Sequence, residues 1–194
     1  MYPKYHTEGF VLDSTPFAEA NKIFYILTHD FGLIKAGAQS VRTASGKLKS
    51  GLEDYSWSTF TLIKAKNGWK ITDAVPIQNL YFSAENAANF IIIVRISSLL
   101  KKLLPEEEPN IHLFEQFMAD CLFLSQNDLG NEAMKNLECL AVLRFLHSLG
   151  YLQKTEWEAF IDEKPSTLLL SKFTPLRNLA VKSINQSLKE SQLI

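Results

Sequence analysis

The chain has 194 residues, of which 46% are hydrophobic and 21% charged, and its formal net charge is −1. This length allows one large domain or two small ones, and the composition is typical of a soluble globular protein. The spacing of the two cysteines, Cys121 and Cys139, excludes the C-x-x-C signature of a zinc site and indicates no disulfide framework. The longest apolar run, 90–94, is too short to span a bilayer, and the N-terminus lacks a signal peptide's apolar core. We therefore expect a cytoplasmic protein.

Residues 1–80 alternate between apolar and polar side chains in the manner of β-strands. This alternation, with turn signals at 29–32 and at Asn67-Gly68, predicts five strands, which lie at 6–12, 22–28, 33–41, 55–65 and 69–75. A loop over 43–51 separates the third strand from the fourth. Five short strands of this kind predict a small closed barrel such as the OB-fold.

After Pro76 the spacing of the apolar residues becomes helical. Ser83 and Asn110 are predicted to cap the first two helices, and Gly150 is predicted to end a third helix that begins near residue 132. Further capping signals predict a short helix and a final one, and they lie at Thr155 with Glu158 and at Thr174 with Pro175. The predicted fold class is α+β, with a five-stranded OB-fold β-barrel in residues 1–80 and an all-α helical domain in residues 81–194.

The sequence carries no motif that indicates catalysis. Ser45-Gly46-Lys47 fails as a phosphate-binding loop, because that motif needs a glycine and a hydroxyl residue where the chain has Val41 and Leu48. The four histidines have no metal-ligand spacing, and the acidic run at 106–108 is predicted to be a solvated connection between helices. We therefore expect neither an enzyme nor a bound metal or cofactor.

Positive charge is segregated within the predicted barrel. Between residues 35 and 70 the chain carries seven basic side chains against two acidic ones, and the basic ones are predicted to bind DNA: Lys35, Arg42, Lys47, Lys49, Lys64, Lys66 and Lys70. Strand-like spacing places alternate lysines on one face, where they suit the phosphates of a polyanion. Charges that serve solubility alone are the alternative interpretation.

Two further features accompany this basic tract. A second basic surface on the last helices would extend the DNA path or receive the acidic tail of a partner: Lys172, Arg177, Lys182 and Lys189. The aromatic residues Tyr55, Trp57 and Trp69 lie among the basic residues of the barrel. These aromatic rings either stack on nucleic-acid bases or pack in the barrel core, and packing in the core is favoured.

Several segments resemble the recombination mediator protein family RecO, in the order in which that family has them. Residues 7–12 (TEGFVL) and 15–21 (TPFAEAN) resemble its opening strand and turn, and 26–34 resembles the next stretch, where the family reads FT…GL. Residues 38–43 (AQSVRT) stand where the family has AKGARR, and 47–49 (KLK) stand where it has paired basic residues around a leucine.

The resemblance continues into the helices, as far as residue 152. Residues 103–106 (LLPE) with 112–114 (HLF) resemble the family's LLPE…LF passage, and 145–151 (FLHSLGY) resembles its LL-x-x-LGY. Membership would imply an N-terminal OB-fold, a helical C-terminal domain, binding of single- and double-stranded DNA, annealing of complementary strands and no catalysis. The implied partners are RecR, the single-stranded DNA-binding protein and, indirectly, RecA, in recombinational repair.

The chain departs from the family pattern at three places. Gln39 and Thr43 replace two basic positions, which implies DNA binding that is weaker or spread over 64–70. Ala141-Val142 replaces a Phe-Glu pair, which changes the implied partner surface, and no four-cysteine zinc module follows residue 152, so we expect no bound zinc. Two other functions stay open: a general OB-fold module for single-stranded DNA or RNA, and a non-catalytic protein-interaction scaffold.

Overall fold

The computed structural model describes residues 2–17, 21–39, 48, 50–83, 86–152 and 157–190. The strands are β1 (Lys4–Phe17), β2 (Asn21–Thr28), β3 (Gly32–Ala38), β4 (Ser56–Ala65) and β5 (Gly68–Asn79). The helices are α1 (Leu80–Ser83), α2 (Ala87–Leu103), α3 (Ile111–Gln126), α4 (Asn131–Ser148), α5 (Glu158–Ile161), α6 (Thr167–Phe173) and α7 (Arg177–Glu190). Short 3-10 turns lie at Ser50–Leu52 and Thr174–Leu176.

The five strands form a closed barrel in the order β1-β2-β3-β5-β4. Neighbouring strands are antiparallel except β3 and β5, whose short parallel pairing joins Ala36 to Trp69 and Gly37 to Lys70. Alternate side chains point inward and are buried, Phe24, Ile34 and Phe60 among them, so the barrel encloses its own apolar core. The predicted α+β class with a five-stranded barrel is confirmed.

The junction after the barrel differs from the sequence prediction. Strand β5 continues beyond Pro76, which pairs with Ser58 beside a bulge, a site where a sheet tolerates proline. The sequence predicted that Ser83 caps the helix after the barrel, but Ser83 instead ends α1. Asn86 takes the capping role, since its side-chain oxygen accepts a 2.8 Å hydrogen bond from the Ala88 N–H.

The later helix boundaries are partly as predicted. Asn110 caps α3, because its Oδ1 accepts a 3.0 Å hydrogen bond from the Leu113 N–H, and Gly150 follows α4 with a φ of +78°. Thr174 is helical and is not the predicted N-cap. Ser166 caps the unpredicted helix α6, and Pro175 falls in the 3-10 turn that joins α6 to α7. The predicted capping residue Thr155 lies outside the described residues.

Packing divides the chain into two compact units, each discontinuous in sequence. The first unit contains Met1–Ser83 and Ser97–Phe114, and the second contains Ala84–Ile96 and Glu115–Ile194. The barrel's unit therefore includes the end of α2 and the loop 104–110, which the sequence assigned to the helical part. A backbone hydrogen bond holds this loop, since the Glu107 N–H donates to the Leu33 carbonyl at 2.8 Å.

The second unit is built around the central helix α4 and contains a buried ion pair. Arg144 donates to Asp120 Oδ1 at 2.7 Å, and both side chains are almost fully buried. The guanidinium also donates to the carbonyls of Phe160 and Glu163, which fixes the turn around α5. Burial raises the pKa of Asp120 to about 6, although Arg144 acts in the opposite direction. No helix of the described chain is long and apolar enough to cross a membrane.

Candidate nucleic-acid interface

The β4–β5 hairpin carries three of the predicted DNA-binding lysines. Its turn is closed by Ala65 and Gly68, and Gly68 has a φ of +98°, which glycine adopts without a steric penalty. Lys64 and Lys66 come just before the turn, and Lys70 comes just after it. All three side chains are exposed, so the hairpin presents a local concentration of positive charge.

A fourth lysine joins this surface through the register of the sheet. Lys4 on β1 is directly opposite Ile63 on β4, and Ile63 is directly opposite Lys70 on β5. Directly opposite residues on neighbouring strands lie on the same face of a sheet. Lys4 and Lys70 therefore flank Ile63 on the outer face of the barrel. Lys4 is not predictable from the sequence, because its place beside the hairpin depends on the pairing of β1 with β4.

Lys4, Lys66 and Lys70 form what we call the open lysine group. Each side chain is exposed, and no carboxylate in the described part of the chain forms an ion pair with any of them. Ammonium groups that are not neutralised internally can replace the counterions around a polyanion. The open lysine group is therefore available to phosphate, and two of its members, Lys66 and Lys70, belong to the predicted site.

The other two described lysines of the predicted site are ion-paired with the loop 104–110. Lys35 pairs with Glu106, and this hydrogen bond raises the pKa of Lys35 above its ordinary value. Lys64 pairs with Glu107, and that hydrogen bond lowers the pKa of the Glu107 carboxyl. The acidic run at 106–108 was predicted to be a solvated connection between helices. It is an exposed connection between α2 and α3, as predicted, and two of its carboxylates in addition form ion pairs with lysines of the barrel.

The outer face of β1, β2 and β3 beside Lys35 is also covered by the protein itself. Asp13, Tyr25 and Lys35 are directly opposite one another across the three strands. Lys101 from α2 bonds to Asp13, and its Nζ lies 4.0 Å from the centroid of the Tyr25 ring. A cation over an aromatic face is attracted by the ring's negative potential. This side of the barrel is a packed intramolecular contact.

The three aromatic residues of the basic tract contribute more to the packing of the barrel than to its exposed surface. Trp69 is 6% exposed and packs between Tyr5 and Phe31, with ring centroids 5.4 and 5.1 Å away. Trp57 is half-buried, and its indole N–H donates to Glu8 at 3.2 Å. Tyr55 is also partly buried, and burial raises the pKa of its hydroxyl. The core interpretation favoured by the sequence is confirmed for Trp69.

Three of the predicted DNA-binding residues, Arg42, Lys47 and Lys49, lie outside the described residues. Their assignment as DNA contacts stays a prediction from the sequence. The described part of the predicted site therefore consists of two ion-paired lysines and two open ones, to which the register of the sheet adds Lys4.

The predicted second basic surface lies on α6 and α7. Lys172, Lys182 and Lys189 are exposed, and Lys182 and Lys189 share a face because they are seven residues apart on one helix. Arg177 differs from these three, since it donates to Asn136 Oδ1 at 3.0 Å and lies 4.0 Å from Glu132. Arg177 therefore supports the packing of α7 on α4.

The described residues contain no group of three or more histidine, cysteine or acidic side chains that could hold a metal ion. Cys121 and Cys139 are both buried free thiols, and burial raises the pKa of each. A closed barrel of five strands in the order β1-β2-β3-β5-β4 defines the class: an OB-fold protein.

Comparison with known proteins identifies the family. The sequence profile described as "Recombination protein O N terminal" matches residues 1–80. The chain is 32% identical over 149 residues to the DNA repair protein RecO of Thermodesulfovibrio yellowstonii, across 76% of this chain and 58% of that protein. It is 27% identical over 149 residues to RecO of Heliobacterium modesticaldum, across 76% of this chain and 52% of that protein. The profile and these relatives support the assignment of the chain to the RecO family.

The similarity extends over nearly the whole chain in one relative. The DNA repair protein RecO of Caldanaerobacter subterraneus is 22% identical over 194 residues, which covers 97% of this chain and 74% of that protein. The chain spans slightly more than half the length of the Thermodesulfovibrio and Heliobacterium relatives. The resemblance found in the sequence is confirmed.

Proposed function

We propose that this chain acts in recombinational DNA repair as a protein that binds DNA without catalysing a reaction. The observation that carries this proposal is the open lysine group on the outside of an OB-fold barrel whose relatives are named DNA repair proteins. Phosphates would replace their counterions with Lys4, Lys66 and Lys70, so the affinity for DNA would fall steeply with salt. The same contacts would serve single- and double-stranded DNA, because they read the backbone and not the bases.

Strand annealing follows physically from such binding. Two complementary strands repel each other through their phosphates, and a protein surface that neutralises part of this charge lets them approach. We include in the proposal that the chain anneals strands coated by the single-stranded DNA-binding protein, that RecR is its partner and that the complex helps to load the recombinase. The exposed lysines of α6 and α7 are proposed to receive an acidic partner segment or to extend the DNA path.

The proposal predicts a specific loss of DNA binding. Replacing Lys66 and Lys70 with alanine should weaken binding of a fluorescent oligonucleotide roughly tenfold at low salt and reduce the slope of log K against log salt by about two, one for each lost contact. The measurement is fluorescence anisotropy over a series of salt concentrations. The matched control is K135A/K164A, which removes two exposed lysines from the second unit.

Equal loss in both double variants would show that total charge alone matters and would contradict the assigned face. Competition between DNA and RNA oligonucleotides of equal length separates DNA repair from a general single-strand module. Annealing of labelled complementary strands, with the single-stranded DNA-binding protein and with or without RecR, tests the mediator role. A chain that binds neither nucleic acid would instead be a protein-interaction scaffold.

A further inference from the structure

Two carboxylates of the loop 104–110 occupy positions that a nucleic acid would need. Glu106 pairs with Lys35 and Glu107 pairs with Lys64, so two of the four described lysines of the predicted site already hold an anion. A carboxylate and a phosphate offer the same lysine a negatively charged oxygen acceptor. A carboxylate that already neutralises the ammonium group also repels an approaching phosphate, so the two anions compete for one lysine.

The loop has a fixed backbone and displaceable side chains. The Glu107 N–H bonds to the Leu33 carbonyl, and residues 106 and 33 form a parallel β-bridge, so the backbone is tied to β3. The side chains of Glu106 and Glu107 remain 49% and 44% exposed. Ion pairs this exposed are weak and are screened by salt, so a multivalent polyanion can displace them while the loop stays in place.

Trp69 connects the ion pair to the barrel core. The Lys64 Nζ lies 5.1 Å from the centroid of the Trp69 ring, and the indole N–H of Trp69 donates to Glu107 Oε1 at 3.1 Å. Glu107 thus accepts from a lysine and from an indole at the same time. When the carboxylate leaves, this indole loses its acceptor, which gives a spectroscopic signal for the exchange.

We propose that Glu106 and Glu107 form an autoinhibitory contact, in which the protein's own carboxylates compete with nucleic-acid phosphates for Lys35 and Lys64. This inference rests on the proposed function, because it concerns regulation of the same surface. In the resting state the open lysine group makes the first contacts. Lys35 and Lys64 bind phosphates only after the polyanion has displaced the two carboxylates. Short or sparsely charged anions do not displace them and contact the open lysine group alone.

The test compares three single variants of one loop: E106Q, E107Q and E108Q. Each removes one negative charge, but the Glu108 side chain is exposed and makes no ion pair or hydrogen bond with the described residues. Releasing one exposed ion pair should tighten oligonucleotide binding by up to about fivefold and steepen the salt slope by about one in E106Q and in E107Q. E108Q should match the wild-type protein.

The indole N–H resonance of Trp69 gives a second measurement, by ¹H–¹⁵N NMR. Adding an oligonucleotide to the wild-type protein should move this resonance towards its position in E107Q. The autoinhibitory contact would be overturned if the wild-type protein binds DNA but E106Q, E107Q and E108Q all have equal affinities. It would also be overturned if DNA binds and the Trp69 resonance does not move. Either result would leave the proposed function intact. If neither the wild-type protein nor E106Q/E107Q binds DNA at low salt, the proposed function fails as well.

Discussion

Replacing Arg144 with alanine should lower the free energy of unfolding of the second unit by about 3–5 kcal/mol, because it leaves a buried carboxylate without its partner. Arg144 and Asp120 are 1% and 0% exposed, so solvent cannot compensate for the lost charge. The carbonyls of Phe160 and Glu163 would lose their donors in the same step. Urea unfolding followed by circular dichroism at 222 nm measures the loss.

The destabilisation should also depend on pH. The pKa of Asp120 in the folded protein, about 6, is above its ordinary value of about 3.9. A group of this kind contributes stability that is complete below the unfolded pKa and is lost as the pH rises through the folded pKa. Removing Arg144 removes the charge that lowers the pKa of Asp120, so the folded pKa rises further. The loss in R144A should therefore be larger at pH 8 than at pH 5.

Two further variants separate the causes of this effect. D120N/R144A contains no titrating carboxylate at this site. R144A should lose additional stability relative to the wild-type protein between pH 5 and pH 8, and D120N/R144A should not show this additional loss. R144K keeps a positive charge but loses the planar group that reaches Asp120, Phe160 and Glu163 together, so it should lie between R144A and the wild-type protein. An R144A protein with an unchanged unfolding midpoint would show that Asp120 finds another partner or becomes solvated.

The barrel was predictable because its sequence signals are local. Strand alternation and the Asn67-Gly68 turn indicated all five strands and the β4–β5 hairpin, since a period of two and a turn residue act within a few positions. The end of β5 was not predictable in this way. Proline normally ends a strand, and only the bulge opposite Trp57 and Ser58 allows β5 to pass Pro76.

The sequence predicted which residues of the site are basic but not how they are arranged or paired in space. Segregated charge indicated the lysines of the tract, yet the sequence does not show that Lys35 and Lys64 are paired with Glu106 and Glu107, which lie 71 and 43 positions away along the chain. Lys4 was missed for the same reason. Long-range pairing determines which charges are open, and it depends on the register of strands and on where a loop docks.

Replacing Gly32 with alanine should destabilise the barrel unit by about 3 kcal/mol and release the loop 104–110. Gly32 has a φ of +67°, and a Cβ atom there would lie 2.1 Å from the carbonyl oxygen of Glu108. The left-handed conformation costs an ordinary residue about 1–2 kcal/mol, and the collision with a backbone atom adds to this cost. The change in the urea midpoint, followed by intrinsic tryptophan fluorescence, measures the effect.

Gly68→Ala is the matched control for this substitution. Gly68 also has a positive φ, +98°, but a Cβ atom there meets nothing within 4 Å, so G68A should show the conformational cost alone. The difference between G32A and G68A therefore isolates the contact between Gly32 and Glu108. Equal destabilisation in the two variants would show that the loop yields without cost.

The same substitution links stability to the proposed regulation. If the collision at Gly32 pushes the loop outward, Glu106 and Glu107 move away from Lys35 and Lys64, and G32A should bind an oligonucleotide more tightly although it is less stable. E106Q/E107Q should then add little in the G32A background, because both changes release the same two lysines. Full additivity of the two effects on affinity would mean that the loop backbone and its carboxylates act separately. Tighter binding in a destabilised variant is opposite to the result expected from partial unfolding.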